Sequence, residues 1–202
     1  MRFGVFGGTF DPVHFGHLRP VEAAAAKFGL RRVLYVPARV SPHKEEPAAD
    51  ARHRVAMLAL AIAGRPDWSV SLRELDREPP SYTVDTLGEI AAARPGDELW
   101  LLMGTDTLSG FDRWREPEEI VRRARIAAFL REPFVEKRLR IPPVAGLAKR
   151  LEVFDAGSVR ISATDLRRDL ARGLPAAGRT PEPVAEYITK QGLYGTGVTR
   201  QE

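Results

Sequence analysis

The 202-residue chain contains no cysteine. That excludes disulfides and any metal site built on thiolates. Long apolar runs are missing too. The longest, Val55 to Ala63, falls well short of the about 20 residues that a membrane helix needs. The start, Met1-Arg2-Phe3, lacks the layout of a signal peptide. A soluble, cytoplasmic protein with no membrane partner is therefore expected. Dense basic runs are absent as well. Net charge is only +4 and the arginines are spread along the chain, so small anions suit it better than nucleic acid. No G-x-G-x-x-G follows the first apolar run, which removes the fingerprint of a dinucleotide dehydrogenase. There is no internal repeat and no low-complexity tract. What remains is a hydrophobic content of 44%, enough for one real core.

The most informative stretch is the first turn, Gly7-Gly8-Thr9-Phe10-Asp11-Pro12-Val13-His14-Phe15-Gly16-His17. It follows Phe3-Gly4-Val5-Phe6, which reads as a short buried strand. It precedes an alanine-rich segment, Leu18 to Phe28, which reads as a helix. A strand, a glycine turn and a helix mouth together suit a phosphate. Gly7 and Gly8 let the backbone turn sharply and lie close to a ligand. The helix N-terminus offers unpaired N–H groups to an anion. His14 and His17 are three apart and so share a helix face. Alone they would read as a surface pair or half a zinc site. Zinc would want Cys or carboxylate partners, and Asp11 alone completes nothing, so no metal site is assigned.

Further along, Arg32 to Val36 reads as a second buried strand, and strand–helix–strand within so short a span implies a parallel sheet. Arg39 to Asp50 reads as a polar loop carrying Pro42-His43-Lys44. Asp50 can cap a helix over Ala51 to Ala63 with Val55, Leu58, Ala59 and Ile62 inward and Arg52 and Arg54 on the solvated side. Trp68 to Leu72 alternates, as an edge strand does. Ser81 and Thr83 are both candidate N-caps for a helix to about Ala93. Glu98 to Met103 is the most apolar strand and reads as central. Gly104 and Asp106 follow at its carboxyl end, where open α/β sheets bind ligands; Asp106 would serve as a helix cap as readily as a ribose acceptor. Trp114 reads either as a stacking surface or as a loop anchor. Pro117 to Arg123 reads as a short helix, Ile126 to Leu130 and Leu151 to Phe154 as strands. Ser162 can cap the next helix, with Asp165 completing a weak capping box. Thr180-Pro181 opens the last helix, and Thr196 to Glu202 reads as a frayed tail after a single domain over 1–195.

Gly7 to His17 resembles the GG-T-F-D-P-x-H-x-G-H motif of nucleotidyltransferases that join ATP to a small phosphorylated molecule. Ser81-Tyr82-Thr83-Val84-Asp85-Thr86-Leu87 is similar to a segment of the nicotinate-nucleotide adenylyltransferases. Ile161-Ser162-Ala163-Thr164-Asp165-Leu166-Arg167 resembles that family's Ile-Ser-Ser-Thr-x-x-Arg, with Ala163 in place of Ser. The resemblance covers nearly the whole chain. It implies a Rossmann-like, doubly wound parallel α/β sheet, and transfer of the adenylyl group of ATP to nicotinate mononucleotide. It also implies a set of roles. His14, His17 and Arg167 would be catalytic. Gly7, Gly8, Thr9, Phe10, Gly104, Asp106, Ile161, Ser162 and Thr164 would join them in holding ATP. Lys44, Tyr82, Thr83 and Trp114 would hold the mononucleotide, Trp114 by stacking on its ring. Relatives often follow that Trp with an apolar residue; here Arg115 follows. Mg²⁺ would ride on the ATP phosphates, largely hydrated. The alternatives are nicotinamide mononucleotide as acceptor, and a non-catalytic nucleotide sensor.

Overall fold

The computed structural model describes residues 1–39, 47–130, 139–157 and 160–196. Its six strands are β1 (Arg2–Gly8), β2 (Arg32–Pro37), β3 (Trp68–Val70), β4 (Glu98–Gly104), β5 (Ala124–Phe129) and β6 (Leu151–Phe154). They form one sheet in the order β3-β2-β1-β4-β5-β6, and every pairing is parallel. The helices are α1 (Phe15–Phe28), α2 (Ala51–Ala61), α3 (Arg73–Asp76), α4 (Thr83–Ala93), α5 (Thr105–Leu108), α6 (Pro117–Arg123), α7 (Leu147–Arg150), α8 (Ala163–Leu170) and α9 (Glu182–Lys190). The chain winds outward from β1 to β3, then returns to β4 beside β1 and winds outward the other way. This is a doubly wound α/β domain, and its switch point lies between β1 and β4. Among the described residues no helix is long and apolar enough to cross a membrane.

Strand alternation splits the core in two. Phe6, Tyr35, Trp100, Leu102 and Phe129 point to one face, under α1, α2, α8 and α9. Phe3, Val5, Leu99, Leu101 and Ile126 point to the other, under α4, α6 and α7. The helices supply matching stripes. On α1, Leu18, Val21, Ala24 and Phe28 are buried; on α4, Val84, Leu87 and Ile90. Helix α1 ends where Gly29 takes a left-handed backbone at φ 63°, with the Leu30 amide donating to the Ala25 carbonyl. A Cβ would be strained there.

Several local expectations need correction. Arg54 is not on a solvated face; it is 2% exposed, whereas Ala59 is exposed and Val55 half-buried. The inward face of α2 carries Arg54, Met57 and Leu58, because three backbone carbonyls meet the guanidinium inside. Asp50 makes no cap bond to α2; it pairs with Arg52 at 3.6 Å on the surface. Neither Ser81 nor Thr83 caps α4. Tyr82 is its N-cap residue, with no side-chain cap bond, and the Ser81 hydroxyl donates instead to the Glu74 carbonyl at 3.2 Å. Ser162 does cap α8, accepting from the Asp165 amide at 3.4 Å. The Asp165 carboxylate turns to Arg168 at 2.7 Å. Helix α9 begins at Glu182 with Pro181 outside as its N-cap residue. Thr196 is tied to the turn before it, its hydroxyl donating to the Leu193 carbonyl at 2.9 Å.

Candidate active site

The carboxyl ends of β1 and β4 lie side by side at the switch point. Phe6 pairs with Leu102, so Gly8 and Gly104 stand at the same level. This is where a crevice opens in doubly wound sheets. Gly7 is exposed there, and a Cβ on it would meet only the Val36 carbonyl, at 3.9 Å. A Cβ on Gly8 would lie 3.0 Å from the Phe10 ring. Phe10 itself has φ 53°, a conformation that a bulky residue seldom adopts. That turn drives its ring into the core, 1% exposed, against Phe6 at 5.6 Å and Tyr35 at 5.8 Å. Phe10 can therefore meet a ligand only through its backbone. Its ring supports His17 edge-on at 5.2 Å.

His14 is the N-cap residue of α1, 2% exposed; His17 sits in the first turn, half-buried. Their rings stack with centroids 3.8 Å apart. The His14 amide donates to Nδ1 of His17 at 3.3 Å. An accepting Nδ1 leaves the proton of a neutral imidazole on Nε2. His17 thus holds a donor at its outer end, and His14 lies behind it. Gly16 makes the arrangement possible. A Cβ on Gly16 would stand 2.9 Å from the His14 ring and 3.2 Å from the Ile161 carbonyl. The same contact places the start of α8 against the mouth of α1.

Arg167, on α8, reaches the loop directly. Its Nη1 donates to the Asp11 carbonyl at 2.6 Å. Ser162 and Thr164 are exposed at the start of α8. Capping does not use up the Ser162 hydroxyl, which accepts from an amide and keeps its O–H to donate. The Thr9 hydroxyl is buried without a hydrogen-bond partner among the described residues. Asp106 is exposed in α5, just past Gly104.

On the other face of the sheet Tyr82 and Trp114 both pack on the core formed by α4 and α6. Trp114 leans on Phe111, centroids 5.3 Å apart. The Arg115 guanidinium lies 4.7 Å over the Tyr82 ring. The first amides of α4 receive no side-chain cap. Lys44, with Pro42 and His43, lies outside the described residues.

The cytidylyltransferase-like family model matches residues 5–169, a span that holds all three motifs. The chain belongs to the cytidylyltransferase-like family. Within it, the chain is 38% identical to a Herpetosiphon aurantiacus protein named "Probable nicotinate-nucleotide adenylyltransferase", over 96% of this chain and 98% of that one. It is 36% identical to a Dictyoglomus thermophilum protein of the same name, over 96% of this chain and 100% of that one. Among solved structures, the Plasmodium falciparum nicotinic acid mononucleotide adenylyltransferase complexed with NaAD aligns with a TM-score of 0.73. It is 18% identical, and the alignment covers 96% of this chain and 97% of that one. That likeness shows a shared fold.

Three residues beside the candidate site have contacts that the sequence does not reveal. Asp11 is 3% exposed and accepts from the Ala48 amide at 2.7 Å, the Ala49 amide at 3.2 Å and the Tyr194 hydroxyl at 2.6 Å. Arg54 donates to the carbonyls of Thr9 at 2.9 Å, Ala38 at 2.8 Å and Ala49 at 3.2 Å. Burial pushes its guanidinium pKa down, and Asp11 opposes that shift. Burial pushes the Tyr194 hydroxyl up, with Asp11 adding to the shift, so it remains a donor. Asp11 stands in the first motif, but its partners come from segments distant in the sequence.

Proposed function

We propose that this enzyme transfers the adenylyl group of ATP to nicotinate mononucleotide, giving deamido-NAD and pyrophosphate, a step of NAD biosynthesis. The observation that carries the reading is the match, over nearly its full length, to relatives named for that activity. The mononucleotide phosphate already carries nucleophilic oxygens, so no general base is required. One of them attacks the α-phosphorus of ATP in line. The new P–O bond forms as the bond to the β-phosphate oxygen breaks, and pyrophosphate leaves with that electron pair. The protein's share is positioning and charge stabilisation.

On this reading the backbone at exposed Gly7 and half-buried Gly8 and the buried hydroxyl of Thr9 receive the ATP phosphates. His17 offers Nε2–H to charge developing at the α-phosphate, and His14 holds the His17 ring in place. Ser162, Thr164 and Arg167 hold the β- and γ-phosphates, and a planar guanidinium suits that task. Gly104 and Asp106 flank the nucleoside. The uncapped amides of α4 at Tyr82 and Thr83 receive the nicotinate carboxylate, and Trp114 stacks on its ring. Among the described residues no group of three His, Asp or Glu stands ready to hold a metal. The donor set therefore suits a Mg²⁺ held by the triphosphate and water, whose chemistry is to neutralise phosphate charge. The cytoplasm, where ATP is supplied, is the proposed location.

The test is pyrophosphate release from ATP with nicotinate mononucleotide, nicotinamide mononucleotide or phosphopantetheine as acceptor. Release with the first above the other two is expected. Release with phosphopantetheine alone would overturn the reading.

A further inference from the structure

Asp11 joins four parts of the chain. It sits in the glycine-rich loop, its carboxylate accepts the amides of Ala48 and Ala49 and the hydroxyl of Tyr194, and its carbonyl accepts Nη1 of Arg167. Two cations face it. Arg54 is buried beside the loop, bonded to three carbonyls. Arg167 stands 3.9 Å from Oδ2, too far for a hydrogen bond and near enough to close into one. Tyr194 holds the opposite oxygen, Oδ1, at 2.6 Å. To do so it adopts φ 57° and ψ 27°, a left-handed backbone that costs a bulky residue free energy and persists only where its surroundings enforce it.

We propose that Tyr194 is a positioning residue for ATP, acting through Asp11 on Arg167. The hydroxyl on Oδ1, together with the Ala49 amide on Oδ1 and the Ala48 amide on Oδ2, holds the Asp11 carboxylate back from Arg167, so the guanidinium is anchored by one nitrogen to a neutral carbonyl. Its remaining donors have no partner among the described residues and stay open to the polyphosphate. Without the hydroxyl, the carboxylate loses one of its three restraints, regains its full charge on Oδ1, can swing toward Arg167 and competes with the phosphates for it. The C-terminal turn thereby becomes part of the ATP site, although it lies far from the motifs in sequence. The inference rests on the assignment of Arg167 to ATP in the proposed function.

The experiment is calorimetric titration of ATP into the wild-type protein, Tyr194→Phe, Arg167→Lys and the double variant, which needs no acceptor. Tyr194→Phe keeps the ring and removes one hydroxyl, and is expected to weaken ATP about fivefold, as loss of one such hydrogen bond does. In the Arg167→Lys background the same change is expected to do almost nothing, because coupled residues are not additive. An equal loss in both backgrounds would mean a merely structural tyrosine and would overturn the proposal. Unchanged ATP affinity in Tyr194→Phe, with weakened affinity in Arg167→Lys, would overturn the proposal alone. Unchanged affinity in Arg167→Lys would overturn the Arg167 assignment as well.

Discussion

His14 and His17 stack ring on ring, 28° from parallel, while the His14 amide donates to the inner nitrogen of His17. Two residues three apart thus orient a single outward donor, the Nε2–H of His17. Replacing His17 by Ala should lower turnover by roughly 10²-fold or more, the usual loss when a preorganised donor to developing charge is removed. Circular dichroism of the variant should match the wild type. Near-wild-type turnover in a folded variant would reject the role.

Gly16 separates helix propensity from function. In a helix, Ala is favoured over Gly by about 1 kcal/mol. Here the added Cβ would press on the His14 ring at 2.9 Å and on the Ile161 carbonyl at 3.2 Å. The ring must shift, and His17 moves with it. Gly16→Ala should therefore lose about tenfold or more in kcat, a misplacement effect, with a small change in Tm. A variant both stable and fully active would show that the stack is not needed.

Arg54 is predicted to matter for stability first. Arg54→Leu leaves three carbonyls and Asp11 without their buried partner. Removing one member of such a set costs about 3 kcal/mol or more. Denaturant unfolding measures it, and a change near zero would mean that water replaces the guanidinium at no cost.

The Arg54 site also marks where the sequence stopped being readable. Apolar runs place β2, β4 and β6 within a residue at each end and β1 within two, since a buried parallel strand is a short apolar run. β5 was placed late because Ala124 and Arg125 do not continue such a run, though both pair with β4. The motif letters and the local order of strand, turn and helix point to His14 and His17. A helical pattern puts Arg54 outward because it counts any charge as solvated. It cannot register that carbonyls from Thr9, Ala38 and Ala49 converge from separate segments. Ser81 reads as a cap because caps are local, whereas its partner at Glu74 depends on how α3 packs. Asp11 and Tyr194 meet across nearly the whole chain, and no local pattern encodes that.

Glu74 yields a pH prediction. It is 8% exposed, and burial pushes its carboxyl pKa up, against the hydrogen bond from Thr86 and the charge of Arg77. A raised folded-state pKa means that the folded protein binds this proton more tightly than the unfolded chain does. The group therefore subtracts stability as pH rises from the ordinary 4.5 through the folded value. Glu74→Gln keeps an oxygen to accept from Thr86 and removes the charge. The variant's stability relative to wild type should be higher at neutral pH than near pH 4.5. Urea melts at the two pH values test this, and a difference independent of pH would contradict it.

The proposed assignment puts the choice between acid and amide at the other wall. Nicotinate carries a carboxylate, which only accepts hydrogen bonds; nicotinamide carries an NH₂ as well. The amides at the start of α4 are donors without a side-chain cap, and Arg115 adds a cation 4.7 Å over the Tyr82 ring beside them. An amide can turn its oxygen to one donor, but its NH₂ then faces another, at a cost of about 1–3 kcal/mol for each group left unpaired. Nicotinate mononucleotide should therefore be preferred by at least roughly tenfold in kcat/KM. On the proposed assignment Trp114 would stack on either ring, so Trp114→Ala should weaken both acceptors and leave their ratio nearly unchanged. Steady-state kinetics with the two acceptors, on the wild type and Trp114→Ala, decides the matter. Equal or better use of nicotinamide mononucleotide by the wild type would defeat the carboxylate assignment, while the in-line adenylyl transfer, assigned to the histidine and arginine side of the cleft, would stand.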